Sequence, residues 1–297
     1  MSWLKSIRPL GQSKWAIGFV HGGLPSIMDG VSQNEDCRLK IDWVKMPDDR
    51  WYADPFVLDV TDEEILLLVE DYAYEIRKGV ISLLHIDRAS MEITSRKVLL
   101  EKPWHLSFPA IWRKNGHIYV SPESAGNGML DLYEYHPEKE ELTFVQTICD
   151  DAVWDSYISD AFGEPLLFTQ AHEDERLDVY RWDDTKKRFI PYVHYMSDKP
   201  NSRLAGAVFE YKGEMYYPAQ DCSVNYGGAI DIKRIIVEGG KWKVERVKHL
   251  ESPHPKYQLG MHTMNEYKGV VVIDVRGYRF GKIGEYINEI KKYLRHK

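Results

Sequence analysis

The sequence contains little cysteine. Its three cysteines, Cys37, Cys149 and Cys222, are scattered along 297 residues, odd in number and without the spacing of a metal site. The first residues, Met-Ser-Trp-Leu-Lys-Ser-Ile-Arg, lack the apolar core of a secretion signal. These features predict a reduced, cytoplasmic protein. Nothing in the spacing requires a metal ion, so no metal site is predicted, although a bound ion stays an open alternative.

Long apolar runs and an excess of positive charge are also missing. No segment approaches the roughly 20 apolar residues that span a bilayer, so we expect no membrane span. The net charge is −7 and the isoelectric point is near 5.9, which argues against nucleic acid or an anionic membrane as the main partner.

Several motif classes are absent as well. The chain has no Gly-rich phosphate loop, no His-Glu-x-x-His, no Cys-x-x-Cys pair and no nucleophile elbow, so no cofactor is predicted. It also lacks a Pro/Gly/Ser-rich linker, which favours a single domain over residues 1–297.

Hydrophobic and aromatic residues are plentiful. Hydrophobic residues make up 43% of the chain, enough for a sizeable core, and 9 Trp and 19 Tyr contribute to an aromatic content of 12%. Aromatic residues favour β-strands, and exposed rings suit the flat, weakly polar faces of sugars. The simpler explanation is that an all-β core uses many aromatic side chains.

A pattern of polar residue, apolar strand, turn and second apolar strand recurs five times. Successive units are 53, 48, 48 and 59 residues apart, as expected for four-stranded propeller blades. The units open at Asp54, Ser107, Asp155, Arg203 and His262.

Turn signals within the units support the blades. Asn115-Gly116 is typical of a type I′ hairpin turn, and Lys212-Gly213 and Lys268-Gly269 occupy equivalent places. The sequence therefore predicts an all-β, five-bladed β-propeller with a short C-terminal helix. We expect blades near 51–100, 103–147, 154–195, 203–250 and 258–280, the last completed by N-terminal strands within 15–45, and an amphipathic helix over 282–295.

Polar residues recur at both ends of each inner strand pair. Because the second strand of a hairpin returns antiparallel to the first, the start of one and the end of the other reach the same face of the ring. Asp54 and Glu70 are 16 residues apart, as are Ser107 and Glu123. The corresponding groups in the other units are Asp155 with Gln170, Arg203 with Gln220 and Asp221, and His262 with Asp274. These side chains are expected to converge at one mouth of the central channel, where close carboxylates push each other's pKa values apart.

Some of these segments resemble a known family. The chain is similar to five-bladed propellers of the glycoside hydrolase family 43 group, and more so to the N-terminal propeller domain of plant glucosamine inositolphosphorylceramide transferases and its bacterial stand-alone relatives. The segments that carry the resemblance are 51–56, 106–109, 121–123, 203–206 and 220–227.

This resemblance implies catalytic roles. In family 43 hydrolases an aspartate that opens blade one is the general base, a second aspartate orients the substrate, and a glutamate is the general acid. Asp54 matches the base and Asp155 the orienting aspartate, whereas the acid would be Glu123 or Glu70, neither in the context typical of those enzymes. The expected substrate-binding residues are Ser107, Gln170, Arg203, Gln220, Asp221, Tyr226 and His262.

Two functions follow as expectations. The first is a glycoside hydrolase-like propeller that acts on a furanoside or a related polysaccharide unit by acid/base catalysis. The alternative is a non-catalytic, glycan-binding propeller that assists a glycosyltransferase or polysaccharide pathway. A scaffold for protein partners would explain the blades but not their polar ends. In either of the first two cases the expected partner is a carbohydrate.

Overall fold

The computed structural model describes residues 11–30, 39–171, 176–197 and 203–295. In chain order its strands are β1 (Ser13–Val20), β2 (Ile41–Trp43), β3 (Arg50–Val60), β4 (Glu64–Ala73), β5 (Gly79–Asp87), β6 (Ile93–Leu100), β7 (Ser107–Lys114), β8 (His117–Glu123), β9 (Leu130–His136), β10 (Glu141–Cys149), β11 (Val153–Ser159), β12 (Leu166–Ala171), β13 (Leu177–Asp183), β14 (Arg188–Ser197), β15 (Phe209–Tyr211), β16 (Glu214–Asp221), β17 (Ala229–Glu238), β18 (Lys241–Leu250), β19 (Met264–Tyr267) and β20 (Val270–Tyr278). The helices are α1 (Gly23–Met28), α2 (Lys282–Arg295) and a 3₁₀ turn at Ala125–Asn127.

The strands form five antiparallel four-stranded sheets. Blades 1 to 4 are the consecutive sets β3–β6, β7–β10, β11–β14 and β15–β18. Blade 5 has the order β19-β20-β1-β2, so strands from the two ends of the chain share one sheet. The predicted five-bladed propeller with a C-terminal helix is confirmed.

The closing sheet is held by a long register between β1 and β20. Ser13 pairs with Tyr278, and Val20 pairs with Val271. This pairing gives β20 two hydrogen-bonded neighbours, as full closure of a ring requires.

The hairpin turns have the geometry expected from sequence. Asn115 and Gly116 both have positive φ, 53° and 82°, in the two-residue loop between β7 and β8. Lys212-Gly213 and Lys268-Gly269 repeat this pair of positive φ angles in blades 4 and 5. Asn and Gly adopt such angles readily, which explains why the signal was visible in the sequence.

The core lies between the faces of neighbouring blades. The Phe56 ring of blade 1 meets the Phe108 ring of blade 2 edge to face, with centroids 5.0 Å apart. Both belong to a buried apolar cluster with residues from blades 1 to 4, while Ile17 of blade 5 packs with Val57 and Leu67 of blade 1. Inner strands such as β4 are therefore apolar on both faces.

Blade 4 departs from the expected pattern. Its inner strand was predicted to run on from Arg203, but only Leu204 forms a bridge there, and the strand proper is β15. Gly206 has φ of 146°, and a Cβ on it would lie 2.0 Å from the carbonyl oxygen of Met264. The backbone thus passes too close to blade 5 for a regular strand.

The C-terminal helix makes fewer contacts than its periodicity suggested. Ile287 is buried, and the Asn288 side chain donates a hydrogen bond of 2.9 Å to the Gly11 carbonyl. Ile283 and Tyr286, which share the helical spacing of Ile287, are instead 59% and 69% exposed. The side chain of Leu294 lies outside the described residues.

Cys149 is buried and Cys222 half-buried, both as free thiols, whereas Cys37 lies outside the described residues.

Because β1 closes the ring, we expect that truncating a buried side chain of β1 strongly lowers the free energy of unfolding. Ile17→Ala removes a fully buried side chain, so we expect the free energy of unfolding to fall by about 2–5 kcal/mol in urea denaturation. The matched control Ile76→Ala, at a side chain 63% exposed, should change it by less than about 0.5 kcal/mol. Equal effects of the two changes would contradict the closed ring.

Candidate functional site

The inner strands of blades 1, 2 and 3 each contain a β-bulge a few residues after the strand begins. Register shifts lie between Ala53 and Phe56, Ser107 and Ala110, and Trp154 and Tyr157. In each bulge one residue has positive φ: Asp54 at 49°, Phe108 at 42° and Asp155 at 42°. This conformation is uncommon for a non-glycine residue and rarest for bulky ones, so surrounding contacts must hold it.

The bulges change which residues face each other. Ser107 pairs with Glu123, as the sequence predicted. Opposite Glu70, however, stands Ala53 and not Asp54, and opposite Gln170 stands Trp154 and not Asp155. An extra residue in one strand shifts the pairing, which moves both aspartates out of the ladder and into the interior of the ring.

A cavity of about 400 Å³ opens at this end of the channel. Its lining combines carboxylates, aromatic rings, a guanidinium and two imidazoles. The lining residues are Gln12, Ser13, Trp15, Trp51, Asp54, Glu70, Tyr72, Tyr74, His105, Ser107, Glu123, Arg203, Tyr226 and His262.

Asp54 is tied to both neighbouring blades. Its Oδ1 accepts a hydrogen bond from the Thr263 hydroxyl at 2.7 Å, and its Oδ2 accepts one from the Phe108 N–H at 3.1 Å. Burial raises the pKa of Asp54 to about 7, against the opposing charge of His262. Near neutral pH this carboxyl can therefore both hold and release a proton.

His262 is fixed on three sides. Its Nδ1 lies 2.9 Å from Asp274 Oδ1, its Nε2 lies 3.5 Å from Asp54 Oδ1, and its ring stacks on Trp15 with centroids 3.9 Å apart. Burial acts to lower the pKa of His262, but the two aspartates outweigh it and the pKa is raised. The imidazole is thereby favoured as a cation beside Asp54.

A second charged group joins blades 2, 3 and 4. Arg203 Nε donates to Asp155 Oδ2, and its Nη2 lies 3.2 Å from Glu123 Oε2. Gln220 donates a further hydrogen bond of 2.9 Å to Asp155 Oδ2, and the Asp155 N–H donates to Glu123 at 3.2 Å. Two carboxyl groups thus share one guanidinium.

This sharing separates their protonation. Burial raises the pKa of Glu123 well above its usual range, and the negative charge of Asp155 adds to the rise. Burial acts in the same direction on Asp155, but Arg203 overcomes it and lowers the pKa of Asp155. Glu123 therefore holds a proton while Asp155 is ionised, the kind of division that places an acid in a site.

Glu70 lies on the blade 1 side of the cavity. Its Oε1 is 3.1 Å from His105 Nε2, and His105 Nδ1 accepts the Gly79 N–H at 2.9 Å. Because Nδ1 accepts this hydrogen bond, the ring carries a proton on Nε2, which faces Glu70. Burial acts to lower the pKa of His105, but Glu70 outweighs it and the pKa is raised.

Aromatic rings form one wall of the cavity. Trp51 and Tyr72 are cross-strand partners whose rings stack at 4.6 Å with an interplanar angle of 8°. The ring centroids of Trp15 and Trp51 are 6.4 Å apart. The ring of Tyr226, which is 47% exposed, lies edge-on to the ring of His262.

Seven of the predicted site residues line this cavity, and four do not. Asp155 and Gln220 are not part of the cavity lining. Gln220 donates a hydrogen bond to Asp155, and Asp155 also accepts one from Arg203. Gln170 is buried, and its Oε1 makes no hydrogen bond. Asp221 lines a separate cavity of about 250 Å³ with Asn225 and His249. Successive side chains of a strand point to opposite faces, which separates Asp221 from Gln220.

The aromatic wall and His105 were missed by the sequence reasoning. Trp51 and Tyr72 extend the hairpin that carries Asp54 and Glu70, so continuing that register by two residues would have found them. Trp15 could be placed in a closing strand, but its orientation needed the register with β20.

Two groups in the described part of the chain have the ligand atoms to hold a cation: Asp54, His262 and Asp274, and Asp221, Asp231 and His249. In the first group the oxygens already accept hydrogen bonds from Phe108, Thr263 and His262. These contacts account for its geometry without a metal.

The sequence matches a family model over most of the site. The model for the N-terminal region of glucosamine inositolphosphorylceramide transferase 1 matches residues 41–265. This chain belongs to that family. The matched range includes all eleven predicted catalytic and substrate-binding residues, from Asp54 to His262.

Full-length members are larger than this chain. Glucosamine inositolphosphorylceramide transferase 1 of Oryza sativa subsp. japonica is 25% identical over 256 residues, which is 76% of this chain and 34% of the relative. The Arabidopsis thaliana protein of the same name is 30% identical over 150 residues, 47% of this chain and 20% of the relative. The chain thus spans about a third or less of the curated relatives it matches.

Solved structures share the fold. A family 43 β-xylosidase/α-arabinofuranosidase from a compost metagenome superposes with a TM-score of 0.55 at 12% identity, covering 78% of this chain and 92% of that enzyme. A family 117 glycoside hydrolase of Zobellia galactanivorans gives 0.53 at 10% identity, with 90% of each chain covered. At such identities the likeness establishes a family 43-like propeller fold. Within the described ranges, no helix has the length and apolar character needed to cross a membrane.

The raised pKa of Asp54 predicts a pH-dependent stability. Between about pH 4 and pH 7 the folded protein keeps a proton on Asp54 that the unfolded chain has released, so the free energy of unfolding falls as the pH rises. Asp54→Asn cannot titrate there. In urea denaturation from pH 4 to 8, the stability of the wild type relative to the variant should decrease up to about pH 7 and then level off. A constant difference would contradict this pKa.

Proposed function

We propose that the cavity binds a sugar unit of a glycan. The observation that carries the proposal is the cavity's pairing of stacked rings with carboxylates in a space of about 400 Å³. Rings of Trp and Tyr pack against the C–H faces of sugars, and carboxylates accept strong hydrogen bonds from hydroxyl groups. Pockets of roughly 300–1,000 Å³ are typical of small-molecule sites.

The family supports a role beside a glycosyltransferase. The relatives are named as transferases, and the matched model is their N-terminal region, so this chain corresponds to a part of them. We infer that the propeller recognises the glycan on which such an activity works. A cytoplasmic location, expected from the sequence, is part of the same proposal.

Sugar binding predicts dependence on the aromatic wall. Trp51→Ala removes one face of the stacked pair, so in isothermal titration calorimetry we expect affinity for a glycan selected on an array to fall about tenfold or more. Tyr192→Ala, at an exposed ring of β14, is the matched control and should bind like the wild type. Unchanged binding by Trp51→Ala in a protein that remains folded would place the glycan elsewhere.

The strongly raised pKa of Glu123, together with a pKa of about 7 for Asp54, favours hydrolysis as a second candidate. Glu123, with its pKa raised well above the usual range, would donate a proton to the glycosidic oxygen. Ionised Asp54 would take a proton from the water that attacks the anomeric carbon on the opposite face, as in an inverting glycosidase. Asp155 and Arg203 would hold the acid in place.

Hydrolysis predicts loss of turnover from either carboxyl. On a panel of aryl furanosides and pyranosides, Asp54→Asn and Glu123→Gln should each lower kcat/KM by about 100-fold or more. For the wild type, kcat/KM should rise with pH through about 7 as Asp54 ionises. Glu164→Gln, an exposed partner of Arg181, serves as control. Turnover indifferent to both site changes would reject hydrolysis here and leave binding as the function.

A further inference from the structure

Arg276 contacts two residues that line the cavity, and it was not part of the predicted site. It pairs across strands with Trp15, so the two side chains lie on the same face of blade 5. Its guanidinium carbon is 5.5 Å from the centroid of the Trp15 ring and 5.8 Å from that of Tyr226. Both rings line the cavity, so the guanidinium lies next to two residues of the cavity wall.

The side chain has no acceptor in the described part of the chain. The Nε atom is shielded from solvent and makes no hydrogen bond, and within the described ranges the guanidinium forms no ion pair with a carboxylate. Only the backbone of Arg276 is bonded, to Leu259 and Gly260. Burial lowers the pKa of Arg276 from its usual range, yet arginine remains charged in proteins.

The neighbouring cations differ from Arg276 in this respect. Arg203 is neutralised by Asp155 and also contacts Glu123, and Lys14 contacts Asp48. Arg279 donates to the Gln12 side chain and to the Asp48 carbonyl. A half-buried cation without a counter-ion is costly, and such a group gains most from an anion brought by a ligand.

We propose that Arg276 binds an oxyanion, a carboxylate or a phosphate, carried by the sugar that occupies the cavity. This inference rests on the proposed sugar binding and specifies the substrate as an acidic glycan. A guanidinium presents paired N–H donors that match the oxygens of either group. The ionised Asp155 and the Glu70 carboxylate disfavour an anion in the cavity interior, so the sugar is oriented with neutral hydroxyls inward and its anionic substituent toward Arg276.

The test compares matched neutral and acidic sugars by isothermal titration calorimetry. The probes are glucose against glucuronate, galactose against galacturonate, and glucose against glucose 6-phosphate; the first two pairs report a carboxylate and the third a phosphate. The proteins are the wild type, Arg276→Gln, Arg276→Lys, Trp51→Ala and the control Arg181→Gln, whose side chain is ion-paired with Glu164 outside the cavity. Circular dichroism and thermal unfolding verify that each variant is folded.

The expected result is that the wild type and Arg181→Gln bind at least one acidic probe about tenfold or more tightly than its neutral partner. Arg276→Gln should lose this preference while keeping its affinity for the neutral sugar, and Arg276→Lys should retain part of it. Because the contact is ionic, the preference should shrink as salt is raised.

Two results would overturn the inference in distinguishable ways. Equal binding of neutral and acidic probes, or a preference that survives in Arg276→Gln, rejects the role of Arg276 while sugar binding that depends on Trp51 still stands. Absence of binding for every probe and every array glycan rejects both this inference and the proposed function.

Discussion

Each blade is tied to the next by a polar group buried near the ring axis, and the site depends on these ties. Asp54 accepts hydrogen bonds from blade 2 through Phe108 and from blade 5 through Thr263. Glu123 joins blade 2 to blade 3, and Asp155 joins blade 3 to Arg203 of blade 4; Asn265 of blade 5 accepts the N–H of Ala207, which precedes β15 of blade 4. Acceptors that would be costly if left unpaired thus set the positions of all five blades.

The same groups carry the candidate chemistry. Glu123 holds a proton, and Asp54 keeps one up to about pH 7, because both are buried beside other carboxyl groups, and they are buried because they join blades. Removing one partner of a buried ion pair leaves an uncompensated charge, so a change at Arg203 affects stability and function together. Aromatic residues of the wall and Arg276 carry no such tie, which makes them the more selective probes of binding.

Much of the fold could be predicted because its signals are local. Asn115-Gly116 and the roughly 50-residue repeat identify hairpins and blades, and the pairing of Ser107 with Glu123 follows from their separation. The exact partners of Asp54 could not be predicted, since a bulge inserts one residue without changing the hydrophobic pattern. Likewise, the interruption of blade 4 at Gly206 results from contact with distant residues of blade 5.

The sharing of blade 5 between the two ends of the chain has a consequence for biosynthesis. β1 is translated before the other four blades, but β20, with which it pairs, is translated only after them. Until then Trp15 has no His262 to stack upon, and Asp54 lacks the hydroxyl of Thr263. A nascent chain that stops short of the last hairpin can assemble complete sheets, yet it lacks one wall of the pocket, so ligand recognition arises only after the last hairpin has been translated.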